Sequence, residues 1–275
     1  MRLRHGPIDV LVTADGPPSE VALAMAQARA AFPGILPALC RELPCLKASL
    51  PSLPPRKEIA AKMHAAVSPF GDRFITPMAA VAGAVADSLL ASLTENRTLR
   101  TATVNNGGDI AFHLTLNTSL RCGLVADIAA PALDGTFTLH AHQPTRGIAT
   151  SGRACKGQGG RSFSFGIADA VTILAATAAQ ADAAATVVAN AVDLPGHPAI
   201  IRRPATDIDP ESDLGSRRIT WDLGCLDVHE IQAALDAGAR VAHSLIAAKL
   251  IHGAILALRG EIRVCGITIP VLEHA

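Results

Sequence analysis

The chain has 275 residues, a formal net charge of zero and an apolar content of 49%, enough for one large core or two closely packed lobes. No run of lysine and arginine is long enough for a basic patch, which argues against a nucleic-acid partner. None of the six cysteines forms a C-x-x-C pair, so a zinc knuckle is not expected.

The first ten residues, MRLRHGPIDV, carry charge but no apolar signal-peptide core. No uncharged apolar stretch has the composition and the roughly 18-residue length of a lipid span. The sequence therefore predicts a cytoplasmic protein with no membrane partner.

The N-terminal third is predicted to hold one strand, three helices and a proline-rich break. The six prolines within residues 33–57 predict a loop with at most short helical turns, because proline disrupts a helix interior. Thr76 is placed as the N-cap of the third helix, with Pro77 as its first residue. The predicted elements are a strand at 8–16 and helices at 18–32, 56–67 and 74–93.

The remainder is predicted to mix strands with two helical regions. A glycine-rich segment at 147–166 is expected to be an extended loop. The region 227–258 is expected to be helical with a break near Gly238. Strands are predicted at 99–106, 108–116, 121–129, 135–143, within 168–177, within 195–215, and at 217–224 and 260–269, with a helix at 179–193. Strands and helices alternate loosely, so an α+β or mixed α/β protein is expected.

The helix at 179–193 carries the sharpest polar pattern. Asp182 and Thr186 are four residues apart and share one face, which Asn190 continues. A carboxylate and a hydroxyl among alanines suit a hard cation such as Mg²⁺. Alternatively, Asp182 favours the helix dipole from the first turn, and Thr186 and Asn190 are merely exposed. Spacing alone favours this second interpretation.

Two glycine-containing segments each allow two interpretations. VNNGGD is either an Asn-Gly hairpin turn or a segment where Asp109 meets a ligand at close backbone range, and taken alone it favours the turn. GIATSG is either a flexible surface loop or a phosphate cradle that uses backbone N–H groups and the hydroxyls of Thr150 and Ser151. It is not a P-loop, because no G-K-[ST] follows.

Taken in order, these motifs are similar to the ApbE superfamily of flavin transferases. The resemblance rests on VNNGGD, GIATSG, the strand AVTIL and ADAAAT. The segments ITPMAAVAGAVAD and DPESDLG make the chain more similar to a cytoplasmic branch of that superfamily, over nearly its whole length. The resemblance implies one ApbE-like domain over 1–275, or two closely packed lobes, of α+β class, in which mixed and antiparallel sheets pack with helices around one core.

The resemblance also implies ligands and residue roles. ApbE-type transferases bind FAD and Mg²⁺ and attach the FMN half to a threonine of a partner flavoprotein. Their metal ligands fall here on the side chains of Asp182 and Thr186 and on the carbonyl of Ala149. The residues implied for the flavin pocket are Asn106, Gly107, Gly108, Thr150, Ser151 and Gly152.

One segment departs from the family pattern. The transferases carry H-I-I-D-P-x-T-G ahead of the last core strand, whereas this chain has RSFSFGIADAV, with Arg161, Ser162 and Ser164 and no histidine. The departure means that a retained pocket can serve a different substrate and reaction.

Two hypotheses follow. The first is a Mg²⁺-dependent FMN transferase or pyrophosphate-cleaving enzyme acting on FAD, in which Asp109 or Asp169 accepts the hydroxyl proton. The second is a non-catalytic flavin- or nucleotide-binding protein, or an assembly partner for a redox enzyme. The retained ADAAAT favours the first, and the missing histidine segment favours the second. The alanine-rich helix at 76–93 and the helical C-terminus are compatible either with a homodimer or with internal packing.

Overall fold

The computed structural model describes residues 1–124, 135–152 and 163–266. Its helices are α1 (Pro18–Arg41), α2 (Leu43–Leu46), α3 (Glu58–Val67), α4 (Val81–Thr94), α5 (Ala178–Ala191) and α6 (Val228–Ala247). Its strands are β1 (Arg2–His5), β2 (Ile8–Asp15), β3 (Thr101–Asn106), β4 (Asp109–Leu114), β5 (Ser119–Leu124), β6 (Gly135–His140), β7 (Gly147–Ser151), β8 (Ala170–Ala175), β9 (Ile200–Pro204), β10 (Arg218–Leu223), β11 (Gly253–Leu258) and β12 (Glu261–Gly266). Helices and mainly antiparallel strands coexist, so the predicted α+β class is confirmed.

The chain divides into two compact units. Unit 1 comprises Met1–Arg121, Thr138–Ala149 and Leu174–Ala183. Unit 2 comprises Cys122–Phe137, Thr150–Ile173 and Ala184–Ala275, apart from the residues outside the described ranges.

Unit 1 is an antiparallel meander covered by helices. Its strands lie in the order β1-β2-β3-β4, followed by the first part of β7. Val12 pairs with Val104, which pairs in turn with Ala111, and all three side chains are fully buried. Helices α1 and α4 contact each other and the strands, so the inward-facing apolar side chains of the meander form one core with them.

Unit 2 is built around the first part of β8, up to Ile173, and around β11 and β12, with α6 packed on the last two strands. Strands β11 and β12 form an antiparallel hairpin, and every residue of β11 is buried. The β9–β10 pair forms a separate two-stranded ribbon with a register shift between Thr220 and Asp222. The continuous apolar run of β11 reflects a strand that is covered on both faces.

The predicted loop at 33–57 is wrong at its start, because α1 continues through Pro33 and Pro37 as far as Arg41. Each proline removes a backbone hydrogen bond from the helix. The apolar stripe nevertheless continues across both, so packing against the core offsets the lost bonds. The buried residues of this stripe are Ala24, Ala28, Phe32, Ile35 and Leu39.

The predicted helical region at 227–258 is also wrong in part. Helix α6 runs through Gly238 without a break and ends at Ala247, after which Lys249 adopts a left-handed conformation at φ 59°. Residues 253–258 form strand β11 instead. A Cβ on Gly238 would lie 2.4 Å from Cγ2 of Val192, so this glycine serves a close contact and does not end the helix.

Other boundaries differ more modestly. Strand β7 occupies the start of the segment predicted as a loop at 147–166, and residues 153–162 of it lie outside the described residues. Residues 125–129 of the strand predicted at 121–129 also lie outside the described residues. Strand β1 was not predicted, and a 3₁₀ turn at Pro77–Ala80 precedes α4 where a continuous helix was expected.

Two helical stretches, Pro18–Arg41 and Pro77–Thr94, are long and apolar enough by length and composition alone to cross a membrane. The core helices of soluble proteins satisfy the same criterion. Both stretches bury apolar residues within unit 1, including Phe32 and Leu89.

Candidate functional site

Asp182 caps helix α4 from helix α5. Its Oδ2 atom accepts the N–H of Gly83 at 3.0 Å, and the N–H of Ala82 also donates to this carboxylate. Both amides lie in the first turn of α4, where backbone N–H groups have no acceptor within the helix. The N-cap position of α4 is Ala80, which has no polar side chain. The cap therefore comes from a residue 99 positions from Gly83 in the chain.

Asp87 caps helix α5 from helix α4. Its Oδ1 accepts the N–H of Ala178 at 3.0 Å, and its Oδ2 accepts the N–H of Ala179 at 2.9 Å. Oγ1 of Thr177 accepts the N–H of Gln180 at 3.2 Å, which is a local N-cap contact. The first three N–H groups of α5 are therefore satisfied by two side chains, one of them from another helix.

Asp87 and Asp182 are referred to below as the reciprocal capping pair, because each closes the N-terminus of the helix that carries the other. Helices α4 and α5 are in contact at these N-termini. A Cβ on Gly83 would lie 2.2 Å from the carbonyl oxygen of Ala178, so only glycine allows this approach. The contact places the first turns of α4 and α5 directly against each other within unit 1.

The electrostatics of the reciprocal capping pair favour the neutral acid. Burial raises the pKa of Asp182 to about 7, against the opposing effect of its N–H donors, and the negative charge of Asp87 raises it further. Burial also raises the pKa of Asp87, and this effect is opposed by its N–H donors, by the positive charge of Lys62 and by a hydrogen bond from the Thr177 side chain. A cation bound beside Asp182 would favour its charged form.

The VNNGGD segment is a hairpin turn between β3 and β4. Gly107 and Gly108 occupy the turn with φ values of 68° and 109°, and the N–H of Gly108 donates to Oδ1 of Asn105 at 2.8 Å. Both glycines are exposed, and a Cβ on either would meet no atom within 4 Å. The space over this turn is therefore open.

Asn106 joins the hairpin to the first turn of α4. Its Nδ2 donates to the carbonyl oxygen of Ala82 at 3.1 Å, while the N–H of the same alanine donates to Asp182. Asp109 lies opposite Asn106 in the β3–β4 register and is buried. Three segments that the sequence singled out, VNNGGD, ITPMAAVAGAVAD and ADAAAT, thus meet at one helix start.

The residues of the predicted phosphate cradle lie at the end of β7. Ala149, in unit 1, is fully buried. Thr150 and Ser151, in unit 2, are half-buried, and the Thr150 hydroxyl lies 2.8 Å from the hydroxyl of Thr172. The segment beyond Gly152, over residues 153–162, lies outside the described residues.

Asp169 is held within unit 2 by backbone contacts. Its Oδ2 accepts the N–H of Arg259 at 2.5 Å, and its own N–H donates to the carbonyl of Ala257. Gly152 packs against Asp169 and has a φ of 126°. A Cβ on Gly152 would lie 2.9 Å from the carbonyl oxygen of Asp169. One carboxylate oxygen of this candidate base is therefore engaged by the backbone.

Asn190 holds the segment around Ser164 and Phe165 in place. Its Oδ1 accepts the hydroxyl of Ser164 at 3.0 Å and the N–H of Phe165 at 2.8 Å. The amide is therefore not a free continuation of the predicted polar face. Arg161 and Ser162 lie outside the described residues.

The donor chemistry fits a hard divalent cation. Among the described residues, no group of three or more His, Cys, Asp or Glu side chains could hold a metal ion. Asp182 and Thr186 lie one turn apart on α5, and both are half-buried. A carboxylate, a hydroxyl and a backbone carbonyl are oxygen donors of the kind Mg²⁺ accepts while keeping water or phosphate oxygens as its other ligands.

Sequence reasoning missed Asp87, although Gly83 was among the small residues expected to let another backbone approach helix α4 closely. A signal was present, since Gly83 and Asp87 are four residues apart, as are Ala178 and Asp182. Each helix thus carries a small residue and an aspartate on one face. Nothing in the sequence shows that the two faces meet.

The fold and this helix-start arrangement define an α+β protein in which two half-buried carboxylates meet at the starts of two helices. The family model described as AbpE bacteria matches residues 1–264, so the chain belongs to that family. This confirms the predicted superfamily.

Curated relatives match over part of the chain. A UPF0280 protein of Methanothermobacter thermautotrophicus is 41% identical over 123 residues, covering 44% of each chain. A UPF0280 protein of Methanopyrus kandleri is 40% identical over 133 residues, covering 48% of each. The chain thus spans about half the length of the curated relatives it matches.

Solved structures show a more distant likeness. The apo form of Pseudomonas stutzeri flavinyl transferase ApbE is 13% identical with a TM-score of 0.49, over 98% of this chain and 94% of that one. The ApbE protein of Thermotoga maritima is 16% identical with a TM-score of 0.41, over 95% and 80%. These values are too low to support a functional argument.

Proposed function

We propose that this protein is a Mg²⁺-dependent flavin transferase that cleaves FAD and attaches the FMN half to a hydroxyl group of an acceptor flavoprotein. The observation that carries the proposal is the carboxylate of Asp182. It is held at the start of α5 by the N–H of Gly83, in a chain of the AbpE bacteria family. Because burial raises the pKa of Asp182 to about 7, a cation that binds there at neutral pH must displace a proton from this carboxyl group.

Asp182, the hydroxyl of Thr186 and the carbonyl of Ala149 are the proposed metal ligands. When bound, Mg²⁺ would offset negative charge on the pyrophosphate of FAD. Proximity to the positive end of α4 opposes cation binding, because the first-turn N–H groups of that helix already face Asp182. The proposal therefore requires the carboxylate to accept these hydrogen bonds and the metal together, which its four lone-pair sites allow.

The remaining residues are proposed to bind FAD and to move one proton. Asn106 and the open turn at Gly107 and Gly108 are proposed to contact the flavin, and Thr150, Ser151 and Gly152 to bind phosphate oxygens. The acceptor hydroxyl oxygen forms a new bond to the phosphorus of the FMN half. The phosphoanhydride bond breaks, AMP leaves with the bonding electrons, and the hydroxyl proton passes to Asp109 or Asp169.

Titration of FAD into the purified protein, with and without Mg²⁺, tests the proposal. Tighter binding in Mg²⁺ is expected, and this gain should be lost in Asp182→Asn, which keeps the shape of the side chain but not its charge. Asp227→Asn is the matched control, because Asp227 caps α6 by accepting the N–H of Glu230 at 2.9 Å and is not one of the proposed ligands. Equal binding by all three proteins in Mg²⁺ would overturn the metal assignment.

A second candidate function is a non-catalytic flavin or nucleotide carrier. It is favoured by the segment around Ser164, which has no histidine where ApbE-type transferases carry one. The Ser164 hydroxyl there donates to Oδ1 of Asn190. Chromatographic assay for AMP after incubation with FAD and Mg²⁺ separates the two functions. Release of AMP supports the transferase or a pyrophosphate-cleaving enzyme, whereas tight FAD binding without AMP supports the carrier.

A further inference from the structure

The start of helix α5 fixes the direction of the Asp182 side chain. Side chains on an α-helix lean toward its N-terminus, so the carboxylate of Asp182 lies over the turn that begins at Ala178. Any movement of that turn therefore moves the proposed metal ligand. What holds the turn in place controls the geometry of the site.

Asp87 is the group that ties this turn to helix α4. Thr177 provides a local cap by accepting the N–H of Gln180, and its side chain also hydrogen-bonds to the Asp87 carboxylate. The N–H groups of Ala178 and Ala179 both point to the Asp87 carboxylate, at 3.0 and 2.9 Å. These two bonds join separate helices, so they fix the position of α5 in a way that a local cap cannot.

We propose that Asp87 is a positioning residue for the metal site, holding the first turn of α5 so that Asp182 can bind a divalent cation. The inference rests on the proposed function, since it assigns Asp182 as a metal ligand. In this proposal Asp87 acts through the backbone of α5 and is not itself assigned as a metal ligand. Its role is to orient a ligand through backbone hydrogen bonds, and loss of such supporting contacts typically weakens metal binding by about 10- to 100-fold.

Calorimetric titration of Mn²⁺ or Mg²⁺ into the full chain tests this role. In Asp87→Ala, cation affinity should fall by about 10-fold or more. Asp87→Asn retains an oxygen that accepts one of the two N–H groups, so it should recover part of that loss. Partial rescue by this isosteric variant would show that the hydrogen bonds, and not merely a filled volume, set the affinity.

The matched control is Asp227→Ala, which removes the N-cap of α6. Loss of an N-cap costs about 1 kcal/mol of stability in general, so this variant measures what unspecific destabilisation does to cation binding. Its affinity should stay within about two-fold of the wild type. All titrations are made at a temperature where thermal unfolding shows each variant to be fully folded.

The outcomes separate the two levels of inference. If the wild type binds neither cation, the proposed function fails and the role of Asp87 falls with it. If the wild type binds and Asp87→Ala binds equally well, or weakens no more than Asp227→Ala, only the positioning role is overturned. If Asp87→Ala does not fold, Asp87→Asn is compared with Thr177→Ala, which removes the local cap and one hydrogen bond to Asp87 but leaves the Asp87 carboxylate to accept the N–H groups of Ala178 and Ala179. Weaker cation binding in Asp87→Asn than in Thr177→Ala is then expected, and the reverse order would overturn the inference.

Discussion

Gly83 lies so close to Ala178 that a Cβ at residue 83 would stand 2.2 Å from the carbonyl oxygen of residue 178. The obstacle is backbone and cannot rotate away, so Gly83→Ala must push α4 and α5 apart. We expect a loss of about 3 kcal/mol or more in the free energy of unfolding, measured by urea denaturation.

The control for this substitution is Gly34→Ala. Gly34 lies inside α1, and a Cβ there would meet no atom within 4 Å. Alanine has the higher helix propensity, so this change should stabilise the protein by about 0.5–1 kcal/mol. A similar loss of stability in both variants would contradict the packing explanation.

The stability difference between wild type and Asp182→Asn should depend on pH in the presence of EDTA. Because the folded pKa of Asp182 is raised to about 7, its contribution is greatest below the unfolded pKa near 4 and is lost as the pH rises through about 7. The variant lacks this titration, so its relative stability should increase from pH 4 to pH 8, by at most about 1.4 kcal/mol per pH unit. A pH-independent difference by chemical denaturation would contradict the raised pKa.

Arg202 and Asp193 form a half-buried bidentate pair in unit 2, with N–O distances of 2.6 and 2.7 Å. Arg202 also donates to the carbonyl oxygen of Phe165. Asp193→Ala leaves the guanidinium without its carboxylate, so a loss of about 2–3 kcal/mol in the free energy of unfolding is expected.

The exposed pair Arg2–Asp9 is the comparison for this prediction. Its N–O distance of 2.6 Å is equally short, but Arg2 is 64% exposed. Asp9→Ala should therefore cost no more than about 1 kcal/mol in the same assay. Equal losses would show that burial does not determine the strength of these pairs.

Cysteine reactivity should follow burial. Burial raises the pKa of Cys122 to about 12, whereas Cys40 and Cys225 are exposed. Iodoacetamide at pH 8 should therefore label the two exposed thiols well before Cys122, as read by peptide mass mapping. Early labelling of Cys122 in the folded protein would indicate local opening around β5.

The sequence predicted most elements but failed where tertiary packing overrode local preference. Proline usually ends a helix, yet α1 passes Pro33 because Ile35 and Leu39 extend its buried stripe. The strand β11 was taken for helix, because a short apolar run such as GAILAL has no periodicity that separates the two.

Sequence reasoning identified candidate site residues within single elements, but not the contacts between elements. The four-residue spacing of Asp182 and Thr186 was visible on α5, and the turn at Gly107 and Gly108 was one of two interpretations of its segment. The role of Asp87 was not visible, because its hydrogen-bond partners lie 91 and 92 residues away. Contacts of that separation are set by the fold and leave no local pattern.

Because each member of the reciprocal capping pair resides on the helix that the other one closes, neither helix start can fray by itself. Opening the first turn of α5 releases Asp87 from its donors and displaces Asp182 from α4, and the converse holds equally. Two stretches nearly a hundred residues apart in sequence therefore behave as one cooperative opening unit. Native-state hydrogen exchange at the amides of Gly83 and Ala178 should accordingly report a single shared opening free energy.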